Sequence, residues 1–99
     1  MARPQKLEEA AIREALTSLP GWTYAGGKLH RELRFHDFVQ AFGFMSGAAL
    51  VAESMNHHPE WSNVYNRVVV DLVTHDAKGV TTLDLELARR MNELAGAAR

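Results

Sequence analysis

The sequence predicts an α+β fold: a single four-stranded antiparallel sheet with three helices packed on one face, in the order α-β-β-α-β-β-α. Three observations carry this. Apolar residues recur at helical spacing in three separate segments. A Gly-Gly pair joins two short strand-like runs near the N-terminus. The run from Ser62 to Thr74 would make one strand of thirteen residues, roughly 40 Å long at ~3.3 Å per residue, longer than strands usually are. It reads better as two strands and a turn. Ninety-nine residues are close to the size at which one core suffices, so 1–99 is read as a single domain.

Residues 5–18 form the first expected helix, with Leu7, Ala11, Ile12, Leu16 and Leu19 near helical spacing, and Pro20-Gly21 stops it. Trp22-Thr-Tyr-Ala25 and Lys28 to Phe35 then flank Gly26-Gly27, whose backbones accept the positive φ of a two-residue turn. In the second of these strands Leu29, Arg31, Leu33 and Phe35 share one face; His30, Glu32 and Arg34 share the other. Asp37 is placed to cap a long helix running to about Asn56, with Phe38, Phe42, Met45, Ala49 and Ala52 as its expected apolar stripe. Gly43 and Gly47 would let another element approach it closely. Pro59 disfavours helical backbone at His58, so this helix must stop near His57.

Asn66 tolerates positive φ, and a turn at Asn66-Arg67 splits the long run into a hairpin. That register sets Tyr65 opposite Val68 and Trp61 opposite Leu72. It also brings Pro59 near Thr74 and His58 beside His75. Thr81-Thr82-Leu83-Asp84 reads as the cap of a last helix, with Leu83, Leu87, Met91 and Leu94 on one side. One sheet face and at least one sheet edge would be exposed in a monomer, and self-association is the simplest way to cover them.

Composition narrows the function. Eleven basic residues against twelve acidic ones, a formal charge of −1, give no electrostatic footprint for nucleic acid. With no cysteine there is no disulfide, zinc ribbon or thiol nucleophile. The N-terminus lacks a signal-peptide core, and the low-charge run from Phe38 to Ala52 is broken by Gln40, Ser46 and two glycines. The expectation is a cytoplasmic protein without a membrane span.

The chemistry concentrates where the hairpin register gathers three of the five histidines: His57, His58 and His75. Glu53 lies four residues before His57 on the last helical turn, placed to hold one ring nitrogen and fix the tautomer. Imidazole titrates near neutrality and can both give and take a proton. Protonating a departing hydroxyl while removing a nearby proton is a dehydration, or in reverse a hydration. A metal site is the competing reading. Adjacent histidines direct their rings differently and lack His-x₃-His spacing, although Glu53 or Asp76 could complete a ligand set. Any one of these histidines could also be a surface or core residue without a task. Trp61 could stack on a flat heterocycle or pack in the core. Glu60 reads as a solvated or turn residue, Asp71 as facing water, and His30 and His36 as structural or exposed.

The stretch HHPEWSNVYNRVVVDLVTHDAKG, residues 57–79, resembles the signature of pterin-4a-carbinolamine dehydratases, known in animals also as the dimerisation cofactor of a homeodomain transcription factor. The likeness extends over nearly the whole chain. It implies removal of water from 4a-hydroxytetrahydropterin, the product of aromatic amino-acid hydroxylases, to give quinonoid dihydropterin, with no metal and no bound cofactor. It implies catalytic roles for His57, His58 and His75, with Glu53 as the supporting carboxylate. The pterin would lie between the turn containing Pro59 and the segment Thr74-His75-Asp76, with Trp61 nearby. Relatives form dimers or tetramers whose strands join across subunits, so a homodimer or homotetramer is expected. The resemblance also leaves two alternatives: a non-catalytic protein-binding module, or a dehydratase acting on another pterin such as a molybdopterin-related species. Leu83 stands where animal relatives often carry an arginine, and Asp76 where a glutamate is frequent; the first puts a substrate-tail contact in doubt.

Overall fold

The computed structural model describes residues 4–97. It contains α1 (Glu9–Leu16), β1 (Thr23–Ala25), β2 (Lys28–Arg34), α2 (Phe38–Met55), β3 (Glu60–Val64), β4 (Arg67–Leu72), a 3-10 turn (His75–Ala77) and α3 (Thr82–Ala97). The strands form one antiparallel sheet in the order β1-β2-β4-β3. The order and class of elements are those the sequence predicts.

The first hairpin turns at Gly26 and Gly27, whose φ angles of +63° and +78° suit a two-residue turn between twisted strands. The inner sheet face carries Leu29, Leu33, Val68, Val70 and Leu72. These pack with Ile12 of α1, Ala41, Phe44, Ala48 and Ala52 of α2, and Leu87, Ala88 and Met91 of α3 into one core. Trp22 is buried beside it, and its indole N–H is satisfied by Asn92 Oδ1 at 2.8 Å. The outer face is polar: Lys28 pairs with Glu60 at 2.6 Å, His30 with Asp71 at 2.9 Å and Arg67 with Glu32 at 2.9 Å. Cross-strand charge pairs of this kind belong in water. The outer face is open, as expected, and its charge pairs let it stand in water.

Four details depart from the sequence reading. Helix α1 is shorter than 5–18, because the Leu7 N–H pairs with the Val80 carbonyl at 2.8 Å and Glu8 is extended at φ −70°, ψ 152°. The apolar stripe of α2 is rotated. Ala41, Phe44, Ala48 and Ala52 face the core, while Phe38 and Phe42 are 47% and 54% exposed. No charged residue occurs between Asp37 and Glu53, so apolar side chains surround the helix and periodicity cannot choose a face. With 18 residues and a mean hydropathy of 1.2, α2 is long and apolar enough to cross a membrane, although the same test is passed by core helices. The glycines of α2 do not mark a close approach either. A methyl at Gly43 would meet nothing within 4 Å, and one at Gly47 would touch Leu94 at an ordinary 3.5 Å.

The fourth departure is the second hairpin. Val64 pairs with Arg67 and Trp61 with Val70, so the turn residues are Tyr65 and Asn66, not Asn66 and Arg67. Tyr65 adopts φ +51°. Asn66 is engaged elsewhere: its amide donates to the Phe35 carbonyl at 3.0 Å, and its own carbonyl accepts from Phe35 N–H at 2.9 Å. Arg67 sits in the strand, reaching Glu32. These contacts outweigh the local preference for Asn at the first turn position.

Candidate active site

Two backbone devices set the floor of the site. At the end of α2, Asn56 turns left-handed (φ 50°, ψ 44°), His57 N–H bonds the Ala52 carbonyl at 3.0 Å and Asn56 N–H bonds that of Glu53 at 3.0 Å. This pair of bonds is the Schellman arrangement, and it throws His57 inward and His58 outward. After β4, Thr74 bridges to Gly79 around the 3-10 turn, lifting His75 and Asp76 beside the histidine pair. A cavity of about 190 Å³ results, lined by Asn56, His57, His58, Val73, Thr74, His75 and Asp76. All three imidazoles border it.

Each imidazole has a carboxylate on Nε2. His57, buried, meets Asp84 Oδ1 at 2.5 Å; His58, exposed, meets Glu53 Oε1 at 2.8 Å; His75, exposed, meets Glu60 Oε2 at 3.0 Å. Because a carboxylate only accepts, each pairing fixes the proton on Nε2 and directs Nδ1 elsewhere. The expected pairing of Glu53 with His57 is thus corrected. The left-handed turn at Asn56 carries His57 away from the helical face it would share with Glu53, and brings His58 into that place.

Asp84 escaped the sequence reading as a site residue. It is fully buried and takes three donors: His57, the Thr74 hydroxyl at 2.8 Å and the Thr81 N–H at 2.9 Å. Since the single Thr74 proton goes to Asp84, the Thr81 hydroxyl must be the donor in its 2.8 Å bond to Thr74. Thr81 Oγ1 in turn accepts from Leu83 N–H at 3.2 Å. Thr81 and Asp84 form the capping box of α3, whose signal was visible in the sequence. That its second carboxylate oxygen would reach a histidine 27 positions away was not.

Glu60 also does more than face water. It accepts from Lys28 Nζ at 2.6 Å as well as from His75. The Lys28 hydrogen bond, helped by His75, holds the Glu60 carboxyl below its ordinary range, and Glu60 raises the Lys28 ammonium above its own. Of the other expected site residues, Thr74 and Asp76 line the cavity. Pro59 and Trp61 do not; Trp61 is half-buried against the core. Among the described residues no three His, Asp or Glu side chains gather so as to hold a metal ion.

The four-stranded α+β fold thus sets three carboxylate-oriented imidazoles around one small cleft. Residues 5–94 match the family model for pterin 4 alpha carbinolamine dehydratase, and the chain belongs to that family. It is 58% identical over 90 residues to a protein of Solibacter usitatus, covering 91% of this chain and 95% of that one. It is 52% identical over 95 residues to one of Sinorhizobium medicae, covering 94% and 90%. Both are provisionally named pterin-4-alpha-carbinolamine dehydratases. A crystal structure of a transcriptional coactivator/pterin dehydratase from Brucella melitensis superposes with a TM-score of 0.90 at 51% identity, covering 93% of this chain and all of that one. A pterin dehydratase-like RuBisCO assembly factor of the α-carboxysome shares the fold alone, with a TM-score of 0.64 at 20% identity over 76% of this chain and 87% of that one.

Proposed function

We propose that this protein dehydrates a 4a-hydroxytetrahydropterin to the quinonoid dihydropterin, recycling the cofactor of a pterin-dependent hydroxylase. The observation that supports this is the convergence of three imidazoles, each oriented by its own carboxylate, on one cleft. The reaction breaks the C4a–O bond, removes the proton from N5 and forms the N5=C4a double bond, with the hydroxyl leaving as water. It needs a proton delivered on one side and taken on another. His57 is the general acid in this reading, because buried Asp84 holds its imidazole in a fixed orientation at the cleft. His75, steadied by Glu60, accepts the N5 proton. His58, held by Glu53, orients the ring, with Thr74 and Asp76 bordering it. Stopped-flow absorbance with 4a-hydroxytetrahydrobiopterin and related pterins tests the reading. His57→Ala and His75→Ala are each expected to lower the rate by on the order of 10²–10⁴; full activity in the double variant overturns it.

One observation favours a second role, a protein-binding module. Val39, Phe42 and Leu50 are 77%, 54% and 74% exposed along the outer side of α2, an apolar face of the kind that receives another helix. Capture of a helical partner without any acceleration of dehydration would support this role over the enzyme.

A further inference from the structure

Glu60 opens β3 directly opposite Asp71 of β4, which in turn lies opposite His30 of β2. Two carboxylates side by side across strands repel each other unless each has a partner of its own. Lys28 and His30, two positions apart and so on one sheet face, supply those partners. His30 Nδ1 meets Asp71 at 2.9 Å and Lys28 Nζ meets Glu60 at 2.6 Å. Glu60 then uses its oxygens separately: Oε1 accepts from Lys28, and Oε2 meets His75 Nε2 at 3.0 Å. His75 stands on the 3-10 turn with its side chain 74% exposed. Among the described residues no other side chain hydrogen-bonds its ring. The direction of that imidazole therefore depends on Glu60, and Glu60, a flexible side chain itself, is pinned by Lys28.

We infer that Lys28, on the outer sheet face, is a positioning residue for His75 and acts through Glu60. An ammonium only donates, so whatever end of residue 60 faces Lys28 must accept. A carboxylate accepts at both ends. It can satisfy Lys28 with one oxygen and still hold His75 with the proton on Nε2, which leaves Nδ1 as the nitrogen able to take up a proton. The Lys28 bond is also the main reason that the Glu60 carboxyl stays below its ordinary range, so the bridging group is the ionised, accepting form. The catalytic half of the inference rests on the reading of His75 as the acceptor of the N5 proton. The positioning half rests on the hydrogen bonds alone.

A single variant and a double variant test it. In Glu60→Gln only one end of the side chain accepts. Lys28 takes the oxygen, the amide N–H faces His75 Nε2, and the imidazole proton moves to Nδ1. Adding Lys28→Met frees the amide to turn its oxygen to the ring, and the proton returns to Nε2, the nitrogen a free imidazole side chain prefers. Nitrogen-15 NMR of His75 at mildly alkaline pH is expected to show the proton mainly on Nε2 in wild type, on Nδ1 in Glu60→Gln and on Nε2 again in Lys28→Met/Glu60→Gln. The dehydration rate should fall by on the order of 10–10² in Glu60→Gln and recover most of that loss in the double variant, so the second substitution repairs the first. Residues that merely stabilise the sheet would give losses that add. Circular dichroism of each variant checks that the fold is kept. A proton still on Nε2 in Glu60→Gln, or still on Nδ1 in the double variant, overturns the positioning role. The expected tautomers without any change in rate would uphold that role and overturn the part of His75 in catalysis.

Discussion

Asp84→Asn is the most informative single change. The carboxylate is completely buried, with three donors at 2.5, 2.8 and 2.9 Å. Asparagine has the same shape but can accept at one end only. Turning its oxygen to Thr81 and Thr74 keeps two donors satisfied and points the amide N–H at His57 Nε2, which must then accept. The opposite orientation sets the amide N–H against the Thr81 N–H, so the first is preferred. The imidazole proton moves to Nδ1, reversing the tautomer that Asp84 imposes. A charge-assisted bond of about 1.5–3 kcal/mol becomes a neutral one of about 1, so the stability loss is about 0.5–2 kcal/mol. Alanine would instead leave three buried donors unsatisfied at about 1–3 kcal/mol each, comparable with the stability of an entire domain. The dehydration rate of Asp84→Asn is expected to fall by on the order of 10²–10⁴ while the protein stays folded. Nitrogen-15 NMR of His57 should show the proton on Nδ1. Wild-type turnover with the proton still on Nε2 would refute the reasoning.

Gly43→Ala and Gly47→Ala should each stabilise the protein by about 0.5–1 kcal/mol, since neither methyl collides and alanine is the better helix former; a lowered melting temperature in either would contradict the open space seen there. Asn56→Gly should be close to neutral and Asn56→Val should cost about 1–2 kcal/mol by urea denaturation, because φ is +50°. Lys28→Met should raise the Glu60 carboxyl toward its ordinary value in an NMR titration, because the Lys28 hydrogen bond is the main cause of its depression. A carboxyl depressed by folding contributes stability above its unfolded value and loses it as pH falls through the folded one; a raised ammonium contributes below its unfolded value and loses it as pH rises. The difference in urea midpoint between wild type and Lys28→Met should therefore be present at neutral pH and vanish toward both extremes.

Much of the fold was legible because it rests on local chemistry: glycines that take positive φ at 26 and 27, Asp37 accepting from Gln40 N–H at 2.9 Å, and a proline that ends a helix. The face of α2 was not legible, because a helix apolar all round is oriented only by its neighbours. Within the site, residue types and convergence were readable but partnership was not. Glu53 and His57 have the spacing of a helical pair, yet one left-handed residue at Asn56 rotates the chain so that His58 takes the carboxylate and His57 turns to Asp84. Local spacing holds only as far as the helix does.

The displaced hairpin turn shows why the cleft nonetheless forms. Moving the turn from Asn66-Arg67 to Tyr65-Asn66 changes the partner of Trp61 from Leu72 to Val70, a slide of two residues or roughly 7 Å. A slide of one residue would have sent Val68, Val70 and Leu72 to the polar outer face; a slide of two leaves every side chain on its own face. The distance is absorbed outside the ladder, which ends at Glu60 and Asp71. There the segment after β4 folds back through the Thr74–Gly79 bridge and returns His75 to the cavity it shares with His57 and His58. The gathering of the histidines thus depends on which residues face inward and on that return turn, more than on the register of the strands between.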